Sequence, residues 1–134
     1  MSNNNQTVAA YLKHSLSEIE FMDQISVSIS SPEDLTETLL GRTVFRACGM
    51  SLIYLSNYFK RIKQIATESV FSSYGQVQWK SVFGMGDVLK GEYIDADSEA
   101  LFNTIRTDIP VLKTTIEKML SDLESGKLTI NQNK

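Results

Sequence analysis

The sequence predicts an all-α fold, a four- to five-helix up-down bundle. Three observations lead there. Apolar residues recur at steps of three and four along most of the chain, the spacing of one helix face. No segment alternates apolar and polar residues as a half-buried strand would. Breakers are scarce, with two prolines and seven glycines among 134 residues, which favours long helices. A chain of this length fits one domain, expected over residues 1–126, followed by a flexible polar tail at 127–134.

The first helix is marked by Val8, Leu12, Leu16, Ile19, Met22, Ile25 and Ile29 on one stripe. Glu18, Glu20, Asp23, Gln24 and His14 lie mostly off it, so His14 reads as a solvated surface residue. Ser30-Ser31-Pro32-Glu33-Asp34 then combines a serine cap, a first-turn proline and two acids at the positive end of a helix dipole. It predicts a second helix running from Pro32 to about Ile65. The apolar band of that helix is wide: Leu35, Leu39, Leu40, Val44, Phe45, Ala47, Leu52, Ile53, Leu55, Tyr58, Phe59 and Ile62. Such a band suits a central helix with several neighbours. Small residues at its middle (Ala47, Cys48, Gly49 and Ser51) would let another helix approach closely.

Between Thr67 and Gln76 the pattern lapses into a loop. Val77, Trp79, Val82, Phe83, Met85, Val88 and Leu89 resume a helical spacing that Gly84 and Gly86 weaken, at about 1 kcal/mol each relative to alanine. Asp95 to Ser98 offers caps for a short helix through Leu101, Phe102 and Ile105. Asp108 and Pro110 open the last helix, with Leu112, Ile116, Met119 and Leu123 on one face and Gly126 placed to end it.

Composition excludes several functions. The formal net charge of −3 lacks the strong basic excess of a duplex-binding protein. The cluster Lys60, Arg61 and Lys63 reads as a complement to a helix C-terminal dipole. A single cysteine, Cys48, allows no internal disulfide, and with one histidine no metal site is expected. Cys48 itself reads as a small packing residue. No secretory leader or membrane span is evident, so a cytoplasmic location is expected by exclusion. Gly-Met-Gly-Asp at 84–87 is not a phosphate loop, because no Gly-Lys-Ser/Thr follows.

The run Phe83-Gly84-Met85-Gly86-Asp87-Val88-Leu89-Lys90-Gly91-Glu92-Tyr93-Ile94-Asp95 carries the functional signal. With Ala47 to Ser56, Trp79 to Met85, Leu101 to Ile105, Asp108-Ile109-Pro110 and Leu112, it resembles the HepT-like proteins of the HEPN group of helical ribonucleases. Those proteins carry Gly-Met-Arg-Asn, a few residues, then His-Gly-Tyr. Here Gly84, Met85, Leu89 and Tyr93 keep the frame. The family's Arg falls on Gly86, its Asn on Asp87 and its His on Gly91, while Met50 replaces a glutamate of the second helix.

The resemblance implies a bundle of the expected kind, working without metal or cofactor. It implies that two protomers join their Arg and His residues across a cleft to cleave RNA. Such chemistry needs a base for the 2′-hydroxyl proton and a fixed cation for the charge that develops on phosphorus. Glycines at 86 and 91 provide neither. Lys90, Arg42 and Arg46 are the candidate cleft residues, and lysine is a poor base near neutral pH. Tyr93 matches the tyrosine that a partner nucleotidyltransferase adenylates in the family, and also reads as ordinary packing or a partner contact. The expected function is a non-catalytic, degenerate HepT-like bundle in a toxin–antitoxin-type system. It would act by contact, as a homodimer or with a nucleotidyltransferase-like protein, and not chiefly on RNA. The alternative is an active RNA-cleaving toxin that uses non-standard residues.

Overall fold

Residues 2–89 and 94–130 are described by the computed structural model, the side chains at 88 and 94–96 excepted. Among them every regular element is helical: α1 (Asn3–Ile25), α2 (Leu39–Ile65), α3 (Glu68–Ser72), α4 (Trp79–Phe83), α5 (Ile94–Asn103) and α6 (Ile109–Ser125). Short 3-10 turns cover Pro32–Leu35 and Met85–Val88, and a π-helical turn covers Thr104–Asp108. α1 lies against α2 and α6, and α2 also receives α4 and the second 3-10 turn. The fold is an all-α bundle. No helix among the described residues is long and apolar enough to cross a membrane.

α1 forms where the apolar stripe predicts. Val8, Leu12, Ile19 and Met22 are fully buried. Its start lies in the polar N-terminal run, where the Ser2 hydroxyl accepts from the Asn5 amide at 3.1 Å, satisfying one free donor of the first turn.

The second helix begins later than expected. Pro32 does open a turn, but that turn closes at Leu35, and α2 starts afresh at Leu39. Two side chains explain the break. The Asp34 carboxylate accepts from the Ser30 amide at 2.8 Å and the Ser30 hydroxyl at 3.0 Å, turning back rather than continuing a helix. Thr38 then caps α2, its hydroxyl accepting from the Gly41 amide at 2.9 Å. Gly41 sits where a Cβ would collide with the Asp34 carbonyl oxygen, so the turn and the helix can close on each other only with glycine there. The restart also exposes Leu39 and Leu40, which the apolar band had placed inside.

Three further differences follow from local chemistry. The expected loop at 67–76 contains α3, whose Val70 and Phe71 are buried. Phe71 meets the rings of Trp79 and Phe83 with centroids 4.9 and 5.5 Å away, and Phe59 of α2 meets Trp79 at 5.5 Å. The two closing helices are one continuous rod through the π turn. The Ile109 amide donates to the Thr104 carbonyl, a wider turn that accommodates Pro110, which has no N–H and would crowd the carbonyl four residues back. Asp108 therefore caps nothing with its side chain. Gly126 ends α6 in the left-handed conformation, as its position predicts.

The chain beyond Gly126 is not a loose tail as far as residue 130. Leu128 and Ile130 are buried in the same core cluster as Val8 and Leu12, and the Ile130 amide donates to Asn5 Oδ1 at 2.8 Å. The last four residues of the expected tail lie outside the described residues.

A polar tie holds the α3–α4 loop to α6. The Tyr74 hydroxyl donates to Asp122 at 2.7 Å, and Lys118 lies 3.2 Å from the same carboxylate. The tyrosine hydrogen bond chiefly, then Lys118, holds the Asp122 carboxyl below its ordinary value of 3.8. A depressed carboxylate stabilises the fold above its unfolded pKa, and that contribution is lost as pH falls through the folded value. Stability should therefore drop as pH falls below about 4, and Tyr74→Phe or Asp122→Asn should flatten that slope in urea titrations from pH 6 to 2. A residual slope is expected, because the Ser30 amide and hydroxyl hold Asp34 low in the same way.

Candidate functional site

The motif around Gly86 is fixed by a close approach to the middle of α2. The Ser56 hydroxyl donates to the Phe83 carbonyl at 2.6 Å, taking up an acceptor left free where α4 ends at Gly84. Met85 turns into the core. Leu89 lies directly on Gly49, where a Cβ would collide with Leu89 Cδ1. The small residues of α2 thus form the seat on which residues 84–89 rest.

Gly86 faces Ile53. A Cβ at Gly86 would lie 3.4 Å from Ile53 Cγ1 and 3.6 Å from its Cα, ordinary contact distances. The position has room for a Cβ and carries none. Asp87 beside it is exposed. Arg46 and Arg42 share the Ile53 face of α2, two and three turns toward its N-terminus, roughly 10 and 16 Å along the axis. Both are exposed, and Arg46 Nη1 donates back to the Arg42 carbonyl at 3.3 Å. Lys90, Gly91 and Tyr93 lie outside the described residues.

No imidazole stands beside Gly86 among the described residues, and the one ionisable neighbour in sequence is the Asp87 carboxylate. His14 is exposed, as expected, but it stacks on Tyr58 with ring centroids 5.7 Å apart. Tyr58 follows Ile53 by five residues, roughly 140° around the helix, so the imidazole lies on the other side of α2's exposed face. Cys48 is buried, and that burial pushes its thiol up to about 12, which removes it as a nucleophile near neutral pH. No group of three metal-ligating side chains gathers among the described residues.

The face of α2 between these two borders is apolar at its centre and open. Met50 is 51% exposed, Tyr54 47% and Ile53 37%. The sequence reading counted Ile53 in the apolar band, noted Met50 only as a replacement for the family's glutamate, and passed over Tyr54. One signal for the open face was legible: Arg42, Arg46, Asn57 and Arg61 fall within about 100° of Ile53 around the helix, and so many polar residues mark a solvent side.

The glycines of the seat should respond differently to substitution. Gly86→Ala meets no clash and should change stability by less than about 0.5 kcal/mol. Gly49→Ala must displace Leu89 and should cost about 1–3 kcal/mol, partly offset by the roughly 1 kcal/mol helix preference of alanine. Urea unfolding of the two variants measures the difference, and the order should persist for Gly86→Arg against Gly49→Arg.

Comparison with known proteins agrees with this geometry. A model of the family described as Ribonuclease HepT-like matches residues 16–119, the stretch from within α1 to late in α6. The chain is 26% identical over 115 residues to "Putative RNase TTE0752" of Caldanaerobacter subterraneus subsp. tengcongensis, covering 86% of this chain and 96% of that one. It is also 26% identical over 120 residues to "Gamma-glutamylcyclotransferase and putative RNase MJ0434" of Methanocaldococcus jannaschii, covering 90% of this chain and half of that longer protein. No solved structure matches. With three quarters of its length inside the family's pattern, and the motif seated on the central helix, the chain belongs to the HepT-like ribonuclease family.

Proposed function

We propose that this protein is a non-catalytic member of its family that acts by contact, with a second copy or with a nucleotidyltransferase-like protein, in a toxin–antitoxin-type system. The observation that carries the reading is Gly86 against Ile53. The position that resembles the family's arginine admits a Cβ at ordinary contact with Ile53 and offers only hydrogen. The one histidine of the chain, His14, lies on the far border of α2's open face. A base contributes about 10²–10⁴ to such a reaction, and a fixed charge stabiliser about 10²–10³. A site with neither a histidine base nor a fixed cation should run at least about 10⁴-fold below a relative that has both. Asp87 would place further negative charge near any phosphate at this position.

The second reading, RNA cleavage by other residues, draws support from the relatives' names and from Arg42 and Arg46, which stand exposed on the same face as Ile53. The two separate in one assay. Purified protein incubated with single-stranded RNA should give no cleavage above a protein-free blank, and Lys90→Ala should match it. Cleavage by the parent that disappears in Lys90→Ala, or in Arg42→Ala with Arg46→Ala, would establish the second reading instead.

A further inference from the structure

We infer that the cavity between α4 and the start of α6 binds a small organic cation, an ammonium group on an apolar body about the size of one ring. Such a site goes beyond the contact reading above and does not depend on it.

The cavity measures about 170 Å³. Its floor is apolar, made by the buried side chains of Val77, Val82 and Met85. Val111 of α6 also lines it and is 44% exposed. Aliphatic cavities of about 150 Å³ hold a benzene ring, so one ring or a short branched chain fits here. A drug-sized ligand, which takes about 300 Å³ or more, does not. An exposed valine beside an apolar floor is surface that a ligand of this size would remove from water.

The rim supplies the polar half of the site. Asp108 is the one ionisable residue that lines the cavity. An aspartate directly before a helix ordinarily caps it with its side chain. Here the π turn carries the helix through that position, and the carboxylate caps nothing. It has no hydrogen bond or ion pair among the described residues. Gln78 and Thr107, both exposed on the same rim, add neutral oxygen acceptors. An ammonium brings one positive charge and three donors, which match a lone carboxylate flanked by neutral oxygens. An anion would meet the wrong charge. A calcium ion takes six or more oxygens and a magnesium ion an octahedral set, and the apolar floor offers none. π turns within helices often stand at functional sites, and this one sets Thr107 and Asp108 on the cavity wall.

The test uses the full chain, isotope-labelled at its methionine methyl groups and followed by NMR. The probe is phenethylamine, with phenethyl alcohol as its neutral counterpart and phenylacetate as an anion. Phenethylamine should shift the Met85 methyl signal saturably and leave that of Met50, on the open face of α2, in place. It should bind at least about threefold tighter than the alcohol, the scale of an exposed ion pair, and phenylacetate should bind more weakly than either. Asp108→Asn should remove the preference for the amine and leave binding of the alcohol as it was. Val111→Phe, which fills the cavity from an exposed helix position, should abolish binding of both. Gln78→Trp, which blocks the rim from another element, should do the same and serves if circular dichroism shows Val111→Phe unfolded. Glu117→Gln, on α6 but not lining the cavity, should change nothing. Equal affinity for amine and alcohol, tighter binding of phenylacetate, or no saturable shift at Met85 would overturn the inference. A preference for the amine that survives Asp108→Asn would overturn it as well.

Discussion

The close approach of residues 84–89 to the middle of α2 is the constraint from which the candidate site follows. Gly49 has no Cβ, so Leu89 can lie on the helix backbone. Ser56, seven residues on and therefore on the same side, donates its hydroxyl to the Phe83 carbonyl. One contact is steric and the other polar, and together they set both the height and the register of the motif. The aromatic group of Phe59, Phe71, Trp79 and Phe83 then holds α3 and α4 from below. Gly86 reaches Ile53 because its neighbours are anchored on either side.

Framework and chemistry are carried by different residues here. Gly49, Ser56, Met85 and Leu89 make the seat, and each touches another part of the fold. Gly86 and Asp87 sit above the seat and carry little of it. A side chain can be present or absent at Gly86 while the packing stays as it was. Retention of the family's frame therefore says little about retention of its reaction. The reverse also holds, since a substitution at Gly49 would disturb the site without removing any reactive group.

Much of the fold was legible because its determinants are local. The α1 stripe, the small residues of α2 and Gly126 as a cap all act on their own element. What escaped depends on partners distant in sequence, or on competition between two local signals. Ser31-Pro32 does open a turn, but Thr38 and Gly41 offer a second start that wins, because the Asp34 carbonyl needs the space that only glycine leaves. Pro110 reads as a helix start, and a widened turn instead lets the helix run through it. Ile130 reads as a tail because its partner, Asn5, is far away in sequence. At the site, the small residues announced the close approach. The open side of Ile53 was hidden by counting it with its apolar neighbours.

The widened turn at Thr104–Asp108 has a consequence for the whole bundle. It aims Arg106 at the end of α1, where its guanidinium donates to the Ile29 and Ser26 carbonyls while lying over the Phe102 ring, 5.4 Å from its centroid. A cation at the C-terminal end of a helix is favourable through the dipole and through the free carbonyls it satisfies. That tie joins α1 and the α1–α2 connection to the closing rod. Tyr74 with Asp122 joins the α3–α4 loop to α6, and Asn5 with Ile130 joins the two ends of the chain. All three ties involve elements other than α2, and none crosses its open face. On that face Met50 and Tyr54 stay exposed, Ile53 meets Gly86 at its edge, and Arg42 and Arg46 have no carboxylate within ion-pair distance among the described residues. A face so open can change its chemistry with small cost to the fold.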